Sequence, residues 1–100
     1  MPAYLIALVD VTNPTQYAEY TKATPAVIAR FGGRFIVRNG RKSTLEGPEE
    51  NRRIVVIEFP SFERASEFYH SAEYQQAKQL RAGAAIGSFI LIDGYTSPTG

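Results

Sequence analysis

The sequence predicts one small α+β domain of the ferredoxin-like class, with a four-stranded antiparallel sheet and two helices on one of its faces. Two observations support this class. A length of 100 residues suits a single domain. Four apolar, strand-like segments and two amphipathic, helix-like segments follow each other in the order strand, helix, strand, strand, helix, strand.

Composition narrows the function classes before any motif is considered. The chain has no cysteine, which excludes a disulfide framework or a thiolate metal site and fits a cytoplasmic protein. Eleven basic and ten acidic side chains nearly balance, which argues against a dedicated nucleic-acid binder. Since no apolar stretch approaches about 20 residues and no basic region precedes the first one, we expect neither a membrane span nor a signal peptide.

The first half of the chain predicts a strand and a long helix. Ala3–Val11 is apolar at nearly every position and is typical of a strand. Asn13 suits a helix N-cap and Pro14 the first helical position. Pro25 lacks the N–H that the helix needs, so we expect an interruption or kink there, before Gly32-Gly33 ends the helix.

A hairpin of two strands is predicted next. Arg34–Arg38 and Arg53–Phe59 are apolar at their centres. Asn39-Gly40 is a turn signal, and the polar segment Arg41–Asn51 reads as a loop or a ragged extension of the hairpin.

The last part of the chain predicts a second helix and a final strand. Ser61 caps the helix, and Ser71 is placed to cap a further helical segment. Gly87–Asp93 is the fourth strand. We expect residues 1–95 to form the single domain and 96–100 to be a short flexible tail.

The strands themselves predict a homodimer. Right-handed crossovers give the spatial order fourth, first, third, second strand. Ile54 and Val56 point to one side of the third strand and Val55 and Ile57 to the other, and the first and fourth strands are equally apolar on both sides. Helices cover only one face, and a bare apolar face of this size is rare in monomers. We therefore expect a second copy to cover this face by packing sheet to sheet, over at least about 800 Å² per partner.

Charged residues inside apolar strands form the first candidate site. Arg34, Glu58 and Asp93 are expected near the same end of the sheet, where they could orient a small carbonyl or phenolic ligand. The alternative is an Arg34–Glu58 ion pair that is structural or fixes the dimer register.

Aromatic residues and the single histidine form a second candidate set. An aromatic-lined cavity between the helices and the sheet would suit a planar ligand, and plain core packing is the alternative. His70 could shuttle protons or bind haem, or it could be an exposed residue at a helix end. The aromatic candidates are Tyr17, Tyr20, Tyr69 and Tyr74.

Basic residues cluster at the hairpin, at positions 38–42 and 52–53. The element order is shared with RNA-recognition modules, but Arg53–Phe59 lacks the glycine–aromatic pattern on which such modules stack bases. The cluster is therefore interpreted as a solvated hairpin, and we expect no nucleic-acid partner. No phosphate loop, nucleophile elbow or metal-ligand set is recognisable, so we expect no metal and no cofactor.

Several segments together resemble a known family. They are Val9-Asp10-Val11-Thr12-Asn13-Pro14, Phe31-Gly32-Gly33-Arg34-Phe35-Ile36-Val37-Arg38, Leu45-Glu46-Gly47, the run from Arg53 to Phe62, Tyr69-His70-Ser71, Arg81 and Asp93-Gly94. The chain from Tyr4 to Tyr95 resembles the bacterial family called domain of unknown function 1330, of the dimeric α/β-barrel superfamily. Ala72 departs from the pattern, which often has proline there.

That resemblance implies a homodimeric barrel and no particular activity. The wider superfamily includes cofactor-free monooxygenases, isomerases and haem-degrading enzymes, which are analogies at the level of the fold. Two hypotheses stay open. The protein binds or transforms a small organic molecule without a cofactor, or it is a non-catalytic structural or regulatory interaction module.

Overall fold

The computed structural model describes residues 1–96 and has the predicted ferredoxin-like architecture. Its antiparallel sheet has the strand order Arg34–Arg38, Arg53–Phe59, Ala3–Val11, Ala85–Asp93, as predicted. The tail expected at 96–100 lies outside the described residues, apart from Thr96. The elements are β1 Ala3–Val11, α1 Pro14–Arg30, β2 Arg34–Arg38, β3 Arg53–Phe59, α2 Phe62–His70, α3 Ala72–Gln79 and β4 Ala85–Asp93.

Helix α1 begins at its predicted cap and ends at Arg30, just before the predicted stop at Gly32-Gly33. The Asn13 Oδ1 atom accepts the N–H of the residue three positions on at 3.2 Å. The predicted interruption at Pro25 does not end the helix, which runs on for five more residues. Thr24 and Ile28, on either side of Pro25, are both buried. Their packing holds the helix together across the one hydrogen bond that proline removes.

The further helical segment predicted after Ser71 is present as α3, which meets α2 at Ser71, so the helix layer has three members. Ser71 Oγ donates to the carbonyl oxygen of Phe68 at 2.7 Å and accepts from the N–H of Tyr74 at 3.1 Å. One side chain therefore ends α2 and caps α3. The break forms although Ala72, and not proline, occupies the first position of α3.

The face of the sheet that the helices cover, called here the inner face, forms the core. Alternate residues of β1, beginning with Ala3, are buried there, and the register places the matching residues of β3 and β4 beside them. The helices contribute Tyr17, Tyr20, Ile28, Phe68 and Tyr74 to the same core. This is the layered packing that the ferredoxin-like order predicts.

The opposite face, called here the outer face, is largely apolar, and no element within residues 1–96 covers it. Ile86, Ile90 and Ile92 of β4 are 74%, 51% and 52% exposed. The register brings them into one layer with the other apolar side chains that point outward from the sheet. These are Tyr4, Ile6, Leu8, Val37, Ile54 and Val56. The prediction that the strands are apolar on both sides is therefore confirmed.

Strand β4 begins at Ala85, two residues earlier than predicted, because it pairs with the end of β1. Gly87, directly after this extension, occupies an inner-face position opposite Val9. A Cβ atom there would lie 2.9 Å from the ring of Phe89 and 3.3 Å from a methyl group of Val9, so glycine allows the aromatic ring to pack closely. Within residues 1–96, no helix combines the length and apolar character needed to cross a bilayer.

Candidate functional site

A small cavity lies between α1 and the inner face. Its volume is about 40 Å³, which holds water but no organic molecule. Aromatic and aliphatic side chains line it, including Tyr17, Tyr20, Phe68, Tyr74 and Phe89. The predicted aromatic-lined space between helices and sheet is therefore present, but it is largely filled by its own side chains.

A larger groove opens beside this cavity, at the end of the sheet where β1 finishes and β3 begins. Its volume is about 520 Å³, within the range of sites that bind small organic molecules. Val9, Tyr17, Thr21, Arg38 and Arg53 border both spaces, so the cavity forms the floor of the groove. We call it the hairpin groove, and its polar lining consists mainly of Asp10, Thr21, Arg38, Asn39, Lys42, Asn51 and Arg53.

The hairpin register carries two arginines into this groove. Arg53 pairs with Val9, and Arg38 pairs with Val55, so both arginines occupy inner-face positions among apolar neighbours. Asn39 then takes a left-handed conformation, with φ of 51°, and its Oδ1 atom accepts the N–H of Ile54 at 3.3 Å. Asparagine tolerates that conformation better than most residues, so it ends β2 just after Arg38.

The two arginines contact aromatic rings. The Arg38 guanidinium carbon lies 4.3 Å from the centre of the Phe35 ring, and that of Arg53 lies 5.8 Å from the Tyr17 ring. Both distances are within the range of cation–π attraction. The Nε atom of Arg53 is buried and has no hydrogen-bond partner among the described residues.

A buried polar cluster adjoins the cavity. The hydroxyl oxygens of Tyr20 and Tyr74 are 2.8 Å apart, and an Nη2 atom of Arg81 donates to the Tyr74 hydroxyl at 3.4 Å. Burial, followed by the proximity of Tyr74, raises the pKa of Tyr20 well above its usual value of 10.0. The Tyr20 hydroxyl therefore stays protonated at neutral pH and can donate as well as accept a hydrogen bond.

Arg81 is the unusual member of that cluster. Only 8% of it is exposed, and its Nε atom has no partner among the described residues. Its guanidinium carbon lies 4.8 Å from the Phe89 ring centre and 5.2 Å from that of Tyr20. Burial raises the pKa of Tyr17 as well, and the positive charges of Arg53 and Arg81 oppose that shift.

The structure divides the three strand charges that the sequence grouped together. Arg34 Nε lies 2.8 Å from Glu58 Oε1, and the two residues pair across β2 and β3 on the outer face. Asp93 pairs with Ala3, which is buried, so it belongs to the opposite face at the same end of the sheet. Two of the three residues form an ion pair, and the third stands apart from it.

Tyr69 and His70 lie outside the hairpin groove. They border a separate groove of about 230 Å³ between α2 and β4. His70 is exposed, and its Nδ1 atom donates to the carbonyl oxygen of Ser66 at 3.0 Å. The Tyr69 hydroxyl accepts from Lys78 Nζ at 2.9 Å. Of the eight candidate residues, Tyr17, Tyr20 and Tyr74 therefore line the cavity, and the other five do not.

The sequence interpretation missed the residues that give the groove its charge. Arg38, Lys42 and Arg53 belong to the basic cluster that was interpreted as a solvated hairpin. The available signal was the two-residue period of β3, which puts Arg53 on the same side as Val55. Within residues 1–96, no three His, Cys, Asp or Glu side chains come together as a possible metal site.

These features define a ferredoxin-like α+β protein with an unpartnered apolar sheet face and a basic groove at the end of its core. The chain belongs to the family described as a domain of unknown function, number 1330, whose family model matches residues 2–95. The sequence-based family prediction is confirmed. A comparison with curated proteins gave no match.

Solved structures share the fold at low sequence identity. A protein of unknown function from Rhodopseudomonas palustris is 22% identical, with a TM-score of 0.77 over 96% of this chain and 84% of that one. SnoaB, a cofactor-independent oxygenase from Streptomyces nogalater, is 11% identical, with a TM-score of 0.67 over 99% and 98%. A dimeric protein of unknown function from Bacteroides fragilis, of ferredoxin-like fold, is 14% identical, with a TM-score of 0.63 over 93% and 96%. At these identities the likeness concerns the fold alone.

Proposed function

We propose that the protein binds a small organic molecule in the hairpin groove and works as a homodimer through its outer face. The single observation that carries the binding proposal is the continuity of the 520 Å³ groove with an aromatic floor. Apolar surface beside a few convergent polar groups is what small-molecule sites offer. The fold is shared with a cofactor-independent oxygenase, which makes a cofactor-free reaction on the bound molecule compatible with this architecture.

The groove can be tested with a neutral planar probe, 2-naphthalenemethanol, followed by amide chemical shifts in a titration. Ala18 lines the groove on α1, whereas Ala29 is exposed on the same helix and lies outside it. Ala18→Phe fills the groove, and Ala29→Phe is the matched control. Both variants add the same side chain to one helix, so their difference isolates the groove.

We expect the probe to shift the amides of groove residues, and Ala18→Phe to weaken binding at least about tenfold, while Ala29→Phe leaves it unchanged. Equal affinity in all three proteins would overturn the proposal, because the probe would then bind elsewhere. Shifts confined to the outer face would overturn it for the same reason.

The homodimer proposal depends on the outer face. Its nine apolar side chains form one continuous layer, and uncovered apolar layers of this kind are characteristic of interfaces. A second copy is the partner that every molecule of the protein has available, and an isologous sheet-to-sheet contact covers both faces at once. The similar fold from Bacteroides fragilis is described as dimeric. Sedimentation velocity at micromolar concentration should show a dimer, and a monomer would overturn this part.

A further inference from the structure

The hairpin groove has an excess of positive charge that nothing in the described part of the chain neutralises. Arg38, Lys42 and Arg53 line it, against one carboxylate, that of Asp10. None of the three cations lies within 4.0 Å of a carboxylate oxygen in residues 1–96. The field of the groove therefore favours an anion.

Arg52, next to Arg53 in the sequence, is neutralised by a carboxylate of the same hairpin. Arg52 Nη2 lies 2.7 Å from Glu50 Oε1, and Nε lies 2.9 Å from Oε2, a two-pronged pair. Hydrogen bonds from Arg52 lower the pKa of Glu50 to about 2. Arg53, one residue further, has no such partner, so the absence of a carboxylate is a property of the groove and not of the hairpin as a whole.

The cost of burying unpaired cations strengthens this inference. The Nε atoms of Arg53 and Arg81 are both buried without a hydrogen-bond partner among the described residues. Buried guanidinium groups are normally paired, because an uncompensated charge away from water is strongly unfavourable. Arg53 lies in the groove wall, 5.8 Å from the centre of the Tyr17 ring, and leaves a local deficit of negative charge there. An anion that enters from outside would correct it.

We propose that the ligand of the hairpin groove is a planar organic carboxylate. Its carboxylate lies between Arg53 and Arg38, whose planar forks match the two oxygens, and its apolar body lies along Tyr17 over the aromatic floor. An inorganic anion would satisfy the charge and leave the apolar wall uncovered. This inference rests on the proposed function, since it names the chemical class that the same groove takes.

The test compares two probes of equal shape, 2-naphthoate and the neutral 2-naphthalenemethanol, by calorimetric titration of the full chain. We expect the carboxylate to bind at least about tenfold more tightly, with the preference shrinking as salt rises. Arg53→Met removes the charge and keeps the length of the side chain. It should abolish the preference and leave the affinity for the alcohol within about twofold.

Arg34→Met is the matched control, because Arg34 is on the outer face at the opposite end of the sheet. It should keep the preference intact. Should Arg53→Met fail to fold, Arg38→Met takes its place, since Arg38 is exposed and its loss is expected to reduce the preference.

The outcomes separate the two proposals. Equal binding of both probes in the groove overturns the carboxylate inference and leaves the proposed function standing. Inorganic phosphate binding as tightly as 2-naphthoate overturns the organic part of the inference. If neither naphthalene probe binds in the groove, the proposed function itself fails.

Discussion

The two faces of the sheet distribute polar and apolar side chains in opposite ways. The inner side has three arginines, Arg38, Arg53 and Arg81, without a carboxylate within 4.0 Å in the described part of the chain. The outer face is largely apolar, and its Arg34 and Glu58 side chains form an ion pair at 2.8 Å. The charges of Arg34 and Glu58 neutralise each other within the chain. The inner arginines that lack a carboxylate favour binding of an anion. The exposed isoleucines of the outer face favour contact with another apolar surface.

The largest expected effect tests whether the inner face alone is the folding core. Phe68 of α2 is buried against Phe59 and Tyr74, with ring centres 5.2 Å and 4.7 Å away. Phe68→Ala should lower the free energy of unfolding by about 3–5 kcal/mol in a denaturant titration, because it leaves a cavity. Phe62→Ala, in the same helix but exposed, should cost less than about 1 kcal/mol. Equal losses would contradict the division into an inner core and an uncovered outer face.

The second effect concerns the outer face. Ile90→Asp places a charge in the middle of the proposed interface, where it has no partner. It should raise the dimer dissociation constant at least about a hundredfold, measured by sedimentation, while the monomer stays folded because Ile90 is solvent-exposed in the single chain. Leu45→Asp is the control, since Leu45 is an exposed apolar residue of the loop. If Ile90→Asp dimerises as tightly as the parent, the outer face is not the dimer interface.

Most of the fold could be predicted because its signals are local. The caps at Asn13, Ser61 and Ser71 act within three residues, and each accepts the N–H that its position predicts. Strands that are apolar on both faces can likewise be recognised from the sequence, because nearly every residue in them is apolar. The extension of β4 to Ala85 could not be predicted in this way, since it depends on the length of the strand beside it.

The site was less predictable because it is made of distant segments. Arg38 and Arg53 come from the hairpin, Tyr17 from α1, and Arg81 from the turn after α3. Only the tertiary packing brings them together. Charge alone does not say which way an arginine faces, so the hairpin cluster was interpreted as solvated. The two-residue period of β3 indicates that the Arg53 side chain points to the inner face. Arg81 lies in a turn, where no such period indicates which way its side chain points.

A smaller effect tests the buried hydroxyls of the inner side. Tyr20→Phe removes one partner of the 2.8 Å bond to Tyr74 and should cost about 1–2 kcal/mol of stability at neutral pH. The folded protein also holds the pKa of Tyr20 above its usual 10.0, mainly through burial. Above about pH 10 the unfolded chain releases this proton and the folded chain keeps it, so stability present below pH 10 is lost as pH rises.

Denaturant titrations between pH 8 and pH 11 check this dependence. The parent should lose up to about 1.4 kcal/mol per pH unit from Tyr20 above pH 10, and Tyr20→Phe should lose less. Tyr95→Phe, which alters a tyrosine that is 87% exposed, should follow the parent. Identical slopes in all three proteins would mean that Tyr20 is not held protonated by the fold.

The smallest effect belongs to the one ion pair of the outer face in residues 1–96. The Arg34 side chain is 72% exposed and that of Glu58 25%, so solvent screens their attraction in the single chain. A double-mutant cycle with Arg34→Ala and Glu58→Ala should give a coupling free energy of at most about 1 kcal/mol. The cycle is best measured twice, in the parent and in the Ile90→Asp background. A coupling that is large in the parent and small in the background would place the pair inside the dimer contact, where removal of water strengthens it. Equal, small couplings would leave Arg34 and Glu58 as a surface pair and make the apolar layer alone responsible for association.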